Sequence, residues 1–464
     1  MLRGENRMLQ SSKLKLPVWE AVLVLLVVFA SISVGIIMLG MNPHLPIIFS
    51  IIFLMIYGLV KGLPIHEIEK GMINGAASGL GAVYIFFFIG MLISSWMASG
   101  TIPSLMYYGF HLFSDLPLYF AVFVVTSIVG VAIGSAFTTA ATIGVAFIGM
   151  ATALDASLAI TAGAIVSGAF LGDKMSPLSE TTNLASETVG VPLFEHIKNM
   201  LWTTVPAFII SAVVFVIISP EKGQRTNEIT AFLQALKEYS NISWVAFIPF
   251  IIVAILAMRR VSAIPTLSAG IISSVVIAFM HDRTLTFKEM ADILFSGFVM
   301  ESNVDQLNAV LSGGGIESMM FSISLVLLAL GMGGLLFLLG IIPAILEAVA
   351  GLLTSAARLI STTAFTAIGL NFFVGEQYLS ILITGKAFEG QYTKLGYNKK
   401  ALSRALEDAG TVINPLVPWG VAGVFIAGVL GVPTVEYVPF AIFCLLCPIL
   451  TIMSGLTKVG LSQQ

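Results

Sequence analysis

One stretch of mixed polar residues, Gly172 to Asn183, interrupts an otherwise apolar part of the chain. It holds two carboxylates, one ammonium, four hydroxyls, one amide and a proline, and the apolar segments 157–171 and 201–219 around it carry no charge. Burying such groups in hydrocarbon costs several kcal/mol unless each finds a partner. Irregular backbone at membrane depth is tolerated only inside protein or beside a water-filled cavity. The pattern therefore favours a functional site, and a polar loop outside the apolar region is the alternative.

The composition predicts the class of protein that must position these groups. Hydrophobic residues make up 57% of the chain and charged residues 10%, and the mean hydropathy is +1.00. A soluble domain carries about 25% charged residues. We therefore expect an all-α, polytopic integral membrane protein. The net charge of -3 argues against a nucleic-acid partner.

Two other short-range signals are weak. Cys444 and Cys447 form a C-x-x-C in the apolar run Phe440 to Ile452, where no second pair or neighbouring His completes a metal site. We expect two buried thiols there. The first apolar run, Trp19 to Gly40, is too long for a cleavable signal peptide and predicts a first span.

Apolar runs of spanning length recur along the whole chain and predict about ten to twelve crossings. We divide the chain into a first repeat, residues 1–219, a polar linker, 220–241, and a second repeat, 242–464. Beyond the first span, the predicted spans or apolar runs are His44–Val60, Leu80–Ala98, Pro117–Ile133, a run ending at Leu154, Ser157–Leu171, Leu201–Ser219, Ile242–Met258, Ala263–Met280, Met319–Gly340, Thr362–Phe373, Leu379–Phe388, Thr411–Leu430 and Tyr437–Leu456.

The two halves resemble each other. Five matches occur in the same order at offsets of 235 to 241 residues. They pair Gly100 with Gly340, Gly134 with Gly369, Gly190 with Gly431, Asp173 with Asp408 and Pro177 with Pro415. A duplication of this kind is common in transporters.

Basic residues indicate that the two copies have opposite orientations. The connection between the first two spans holds no Lys or Arg, whereas Lys61 and Lys70 follow the second span, which puts the N-terminus in the cytoplasm. The connection Lys386–Arg404 is rich in Lys and Arg, and its partner Thr152–Asp155 has none. We therefore expect inverted repeats with broken helices near the membrane midplane, where binding groups gather.

Four polar or small-residue strings are distinctive: Gly134-Ser-Ala-Phe-Thr-Thr through Gly149, Gly172-Asp-Lys-Met-Ser-Pro-Leu-Ser-Glu-Thr-Thr-Asn183, Gly375-Glu-Gln-Tyr-Leu-Ser-Ile381 and Leu406-Glu-Asp-Ala-Gly-Thr-Val412 with Pro415 and Pro418-Trp419. They resemble the NhaC family of bacterial sodium/proton antiporters. The resemblance covers about residues 20 to 455. It implies exchange of Na⁺ for H⁺ across the bacterial cytoplasmic membrane, and the family includes malate/proton–lactate/sodium antiporters. Glu180 and Glu376 stand where the family more usually has Asp.

The residues at the predicted breaks suit a site for Na⁺ and a proton. Na⁺ is a hard cation that prefers oxygen ligands, and a carboxylate shielded from water can hold either a cation or a proton. The candidate ion- or proton-binding residues are Asp173, Glu180, Glu376, Asp408, Thr138, Thr139, Thr181, Thr182, Asn183 and Gln377. Lys174 is the expected charge-pairing residue, and Pro177, Pro415 and Pro418 are the expected helix breaks.

Each candidate also has a structural alternative. Glu180 could cap a helix or pair with Lys174, and Asp408 could cap the span that begins near Thr411. Lys174 could neutralise Asp173 or Glu180, or it could lose its proton during the cycle. The hydroxyl groups could serve helix packing and bonds to their own helices instead.

Three classes of function remain for comparison. A Na⁺/H⁺ antiporter is the first, and an organic-anion exchanger for malate and lactate is the alternative. An intramembrane enzyme is disfavoured because the chain has no H-E-x-x-H and no G-x-S-x-G, and we expect no catalytic residues. We expect no cofactor and no metal other than transported Na⁺. The expected partners are the lipid bilayer, Na⁺ and H⁺, with malate and lactate in the alternative and a homodimer left open.

Overall fold

The structure is a computed structural model that describes residues 12–113, 116–220, 226–350 and 355–461. The described part of the first half is helical. Its helices are α1 (Val18–Ser33), α2 (His44–Val60), α3 (Ile65–Ser78), α4 (Leu80–Ala98), α5 (Thr101–Phe113), α6 (Leu118–Ile133), α7 (Ala136–Ala153), α8 (Leu158–Met175), α9 (Glu180–Val189) and α10 (Leu193–Ile218).

The remainder of the described chain is built in the same way. Its helices are α11 (Thr226–Tyr239), α12 (Ile248–Met258), α13 (Ala263–His281), α14 (Phe287–Ser296), α15 (Asp305–Val310), α16 (Gly315–Leu338), α17 (Ile341–Ala350), α18 (Ala356–Val374), α19 (Gln377–Lys394), α20 (Lys399–Leu406), α21 (Val421–Leu430), α22 (Thr434–Tyr437) and α23 (Ile442–Thr457). Among the described residues the strand-like pairing is an isolated bridge between Phe298 and Gly313.

The helices have the length and composition of membrane spans. Within the described residues, 8 helices are long and apolar enough to cross a membrane, and up to 10 spans result if each of two bent pairs counts as one. One bent pair joins Lys399–Leu416 to α21 at 46°, and the other joins Thr434–Phe440 to α23 at 60°. Three further apolar helices, α2, α6 and Val245–Met258, are shorter, at 10–17 residues each. The predicted all-α, polytopic membrane fold is confirmed, and the upper count equals the low end of the predicted range.

Glycines let the helices that carry polar residues approach their neighbours closely. A Cβ on Gly172 of α8 would lie 2.4 Å from the Cα of Gly130 on α6, which is too near for any side chain. In the same way, a Cβ on Gly75 of α3 would lie 2.3 Å from the carbonyl oxygen of Leu330 on α16. Small residues allow such backbone contact in membranes, where apolar side chains gain little by leaving lipid. These contacts fix α8 on α6 and join the first half to the second.

Helices of the two halves begin at a constant spacing. The starts of α7 and α19 (Ala136, Gln377), α8 and α20 (Leu158, Lys399), α9 and α21 (Glu180, Val421), and α10 and α22 (Leu193, Thr434) are each 241 positions apart. Left-handed glycines recur at the same spacing: Gly134 and Gly375 have φ of 73° and 77°, and Gly190 and Gly431 have 69° and 67°. The recurrence supports a duplication.

This register corrects three of the predicted matches. Gly134 corresponds to Gly375 and not to Gly369, because both Gly134 and Gly375 end a helix in the left-handed conformation. At the same spacing Asp173 corresponds to Asn414 instead of Asp408, and Pro177 to Pro418 instead of Pro415. The opposite orientation of the halves stays a prediction.

The predicted linker, residues 220–241, contains the helix α11. Phe232 and Leu236 of this helix are buried, and the ring of Phe232 lies 6.1 Å from that of Phe110 on α5. This segment is therefore attached to the first half by apolar contacts. The predicted division of the chain into repeats and a linker stays a prediction.

Candidate ion-binding site

The polar stretch that the sequence singles out is a break between two helices. α8 ends at Met175, and α9 begins at Glu180 after the hydroxyl of Ser179 accepts a hydrogen bond from the Thr182 amide, 3.4 Å away. Pro177 lies in the break, where its missing N–H group costs no helical hydrogen bond. Asp173 and Lys174 occupy the last turn of α8, so both side chains are presented where the helix stops.

Lys174 is fully buried and forms an ion pair with Asp408, which is also fully buried. The hydroxyl of Thr451 on α23 donates to the other oxygen of Asp408. The ammonium also lies 3.4 Å from the Thr203 hydroxyl on α10 and 3.8 Å from the Cys447 sulfur. Lys174 therefore forms an ion pair, as expected, but its partner is Asp408 of the second half. The prediction that Asp173 or Glu180 would be the partner was wrong. A buried ion pair needs such additional polar contacts to offset its desolvation.

Asp408 is held on a widened turn of helix. Residues Glu407–Thr411 continue α20 as a π-helical turn, a rare geometry that is frequent at functional sites. The widening changes the pattern of backbone hydrogen bonds, and the side-chain amide of Asn371 on α18 donates to the carbonyl of Gly410 at 2.7 Å. Asp408 therefore lies within the bent span, well before the helix start at which a cap would act.

A second asparagine holds the break that follows. Asn414 donates to the side-chain oxygen of Asn371 at 2.8 Å and accepts from the backbone amide of Ala422 at 2.7 Å. Pro415 lies in the short 3-10 turn Asn414–Leu416, and Pro418 lies between that turn and α21. Both prolines are thus at the break, as the sequence predicts.

Glu407 is the acidic residue that sequence reasoning missed. Its side chain is fully buried, and neither carboxylate oxygen has a hydrogen-bond partner among the described residues. It interacts electrostatically with Asp173, Lys174 and Asp408. A signal was available, because Glu407 precedes Asp408 directly in the quoted string from Leu406 to Val412.

Asp173 lies beside the hydroxyl groups of α9. Its side chain is 6% exposed, and the Thr181 hydroxyl donates to it over 3.4 Å. The Thr182 hydroxyl donates to the backbone carbonyls of Asp173 and Lys174, at 3.1 and 3.0 Å. These contacts tie α9 to the end of α8 across the break. The amide of Asn183 closes the break itself by donating to the carbonyl of Pro177 at 3.1 Å.

Glu376 directly precedes α19 and Glu180 begins α9, and both interact electrostatically with Tyr378, as does Asp173. Glu376 is buried and caps α19, accepting a hydrogen bond from the Leu379 amide at 2.7 Å. Glu180 is exposed and accepts from the hydroxyl of Tyr378 at 3.0 Å. Gln377 is buried, and its side-chain oxygen has no hydrogen-bond partner among the described residues. Glu180 thus connects α9 to α19, and it is not the partner of Lys174.

Thr138 and Thr139 make local hydrogen bonds at the start of α7. The Thr138 hydroxyl donates to the Ser135 hydroxyl at 3.1 Å, and the Thr139 hydroxyl donates to the Ser135 carbonyl at 2.8 Å. The break before α7 nevertheless adjoins the break after α8, since a Cβ on Gly134 would lie 2.9 Å from the Ser176 hydroxyl. Two of the predicted breaks are therefore in contact.

The polar groups gathered at the two breaks present mainly oxygen atoms. Among the described residues no group of three or more His, Cys, Asp or Glu side chains is arranged to hold a metal ion. The two cysteines are free and buried, as expected. What the arrangement offers is carboxylate, hydroxyl and carbonyl oxygen beside two broken helices, inside a bundle of membrane spans. That combination defines a polytopic transport protein more readily than any other class.

Comparisons with known proteins agree with this class. The model of the Na⁺/H⁺ antiporter family matches residues 168–459. The Na⁺/H⁺ antiporter NhaC of Alkalihalophilus pseudofirmus is 42% identical over 453 residues, which cover 97% of this chain and 98% of that one. The protein of the same name from Bacillus subtilis is 39% identical, with 91% and 94% covered. The malate-2H⁺/Na⁺-lactate antiporter of B. subtilis is 31% identical, with 92% of each chain covered. The chain belongs to the Na⁺/H⁺ antiporter family.

Proposed function

We propose that the protein exchanges Na⁺ for H⁺ across the bacterial cytoplasmic membrane. One observation carries the proposal: the buried charges at the site do not balance. In α8 and residues 399–411, the buried carboxylates are those of Asp173, Glu407 and Asp408, and the buried cations are Lys174 and Arg404. At least one carboxylate is left without a compensating charge. Within a membrane span, a bound Na⁺ or a bound proton would neutralise it.

Competition at this site would couple the two ion fluxes. A carboxylate that binds Na⁺ must be ionised, and a carboxylate that binds a proton cannot also bind Na⁺. Asp173 is the candidate for this role, because its side chain is nearly buried and lies beside a hydroxyl. Asp408 is already occupied by Lys174 and Thr451. We therefore expect the Lys174–Asp408 ion pair to hold the broken helices in place, while Asp173 binds Na⁺ and a proton in turn.

Transport by purified protein in proteoliposomes tests the proposal. With an imposed pH gradient, addition of Na⁺ alone should collapse the gradient in vesicles with wild-type protein. Asp173→Asn should lose this activity, because an amide keeps the shape of the side chain but has neither a charge nor an exchangeable acidic proton. The matched control is Asp292→Asn, an exposed carboxylate on α14, which should transport like wild type.

The alternative is exchange of malate and protons for lactate and Na⁺, an activity printed in the name of one relative. The same vesicles decide between the two. If Na⁺ alone has no effect, and the pH gradient collapses only when malate and lactate are supplied on opposite sides, the alternative replaces the proposed function.

A further inference from the structure

The widened turn Glu407–Thr411 presents three buried oxygen atoms that have no hydrogen-bond partner among the described residues. They are the two carboxylate oxygens of Glu407 and the hydroxyl oxygen of Thr411. Both side chains are fully buried. Buried polar groups are normally paired, since an unpaired one costs several kcal/mol in an apolar environment. Several unpaired oxygens on one turn therefore point to a ligand.

The helix that packs against this turn contributes another such oxygen. Thr384 on α19 is fully buried, and its hydroxyl has no partner among the described residues. Two glycines, one on α19 and one on the widened turn, show how the two segments pack against each other. A Cβ on Gly385 would lie 3.1 Å from Leu406, and a Cβ on Gly410 would lie 3.4 Å from the Ser380 hydroxyl. Thr384 is thus on the stretch of α19 that faces the turn between Leu406 and Gly410.

The neighbouring charged groups Asp408 and Arg404 make their hydrogen bonds to other residues. Asp408 is held by Lys174 and by Thr451. Arg404, one turn earlier on α20, donates to the Ser454 hydroxyl at 2.8 Å and to the carbonyl of Gly460 at 3.4 Å. Among the described residues of the widened turn, Glu407 is therefore the carboxylate that has no hydrogen-bond partner and can bind another ion.

We infer that Glu407, Thr411 and Thr384 form a binding site for the transported Na⁺. A hard cation takes carboxylate and hydroxyl oxygens as ligands, and unwound segments of transporter helices supply such ligands. One cation at the turn would pair with oxygen atoms of all three side chains at once, whereas a proton on Glu407 supplies a single hydrogen bond. The inference rests on the proposed function, to which it adds residues of the second half as Na⁺ ligands.

Calorimetric Na⁺ titration of the purified protein at pH 9, where protons compete least, tests the inference. Glu407→Gln should weaken Na⁺ binding at least about tenfold, and Thr384→Val should weaken it by about threefold or more, because each loses an oxygen ligand. The matched controls on α19 are Glu389→Gln, at a partly exposed position paired with Lys399, and Thr393→Val, at an exposed position; both should bind Na⁺ like wild type. A folded state is verified by the thermal unfolding midpoint of each variant.

Each outcome decides the inference. Wild-type Na⁺ affinity in Glu407→Gln overturns it and leaves Glu407 with a role in proton transfer only. If Glu407→Gln does not fold, equal affinities of Thr384→Val and Thr393→Val overturn it. Failure of the proposed function is distinguishable, since it is seen in wild-type vesicles: Na⁺ that binds in calorimetry but does not collapse a pH gradient rejects the exchange and not the site.

Discussion

At the scale of single residues, the buried pair of Lys174 and Asp408 joins the two halves of the chain. The sequence identifies Lys174 because it is a lone cation between apolar segments. Its partner could not be identified in this way, since Asp408 is 234 positions away. Glu407 escaped detection for a related reason: it follows the basic residues Lys399 to Arg404 and reads as part of a solvated helix. Only the packing of α20 against other helices buries it.

Removing one charge of this pair should cost more than removing both. Lys174→Met leaves Asp408 as an unpaired buried charge and should destabilise the protein by about 3–5 kcal/mol. The double variant Lys174→Met/Asp408→Asn should recover much of this loss. The thermal unfolding midpoints of the purified variants measure the difference.

A surface pair serves as the control. Lys399 and Glu389 lie 2.5 Å apart and are each about one-third exposed. Lys399→Met should therefore change stability by less than about 1 kcal/mol. If Lys174→Met unfolds at the wild-type temperature, the ion pair with Asp408 does not contribute to stability as proposed.

At the scale of helices, the polar residues depend on how broken segments are held in place. Glycine and proline predict the breaks after α8, before α19 and before α21 from the sequence. The sequence does not predict which glycine matches which between the halves, because Gly369 and Gly375 look alike until their backbone angles are known. It also gives no signal for the widened turn Glu407–Thr411, which forms through contacts with α18 and α19.

Asn414 should be essential for the break before α21. Asn414→Ala removes its hydrogen bonds to Asn371 and to the Ala422 amide, and each buried group left unpaired costs about 1–3 kcal/mol. We expect a lower unfolding midpoint and weaker Na⁺ binding. Asn303→Ala, at an exposed position, is the control. Unchanged stability and Na⁺ affinity in Asn414→Ala would show that the break forms without this residue.

At the scale of the whole molecule, the recurring helix starts support two copies of one unit. Composition predicts the helical membrane fold because hydrocarbon leaves few other ways to satisfy a spanning backbone. The relative orientation of the copies is predicted from lysine and arginine placement alone.

Cysteine labelling tests the orientation. Asp155→Cys lies in the connection before α8, and Lys394→Cys lies at the end of α19, just before the connection to α20; both positions are exposed. A membrane-impermeant thiol reagent should reach the two cysteines from opposite sides of the membrane. The wild-type protein, with Cys444 and Cys447 buried, should stay unlabelled as the control. Labelling of both variants from one side would contradict inverted repeats.

The competition between Na⁺ and protons is the central claim, and the pH dependence of Na⁺ affinity tests it most directly. Calorimetry on purified wild-type protein from pH 5.5 to 9 yields the apparent Kd at each pH. Na⁺ binds the ionised carboxylate, so protonation at low pH weakens its binding. At the acidic end the Kd should therefore increase about tenfold for each pH unit by which the pH falls, if one proton is displaced, and at the alkaline end it should become constant. A Kd that stays constant over the whole range would contradict the account, since Na⁺ and H⁺ would then bind independently.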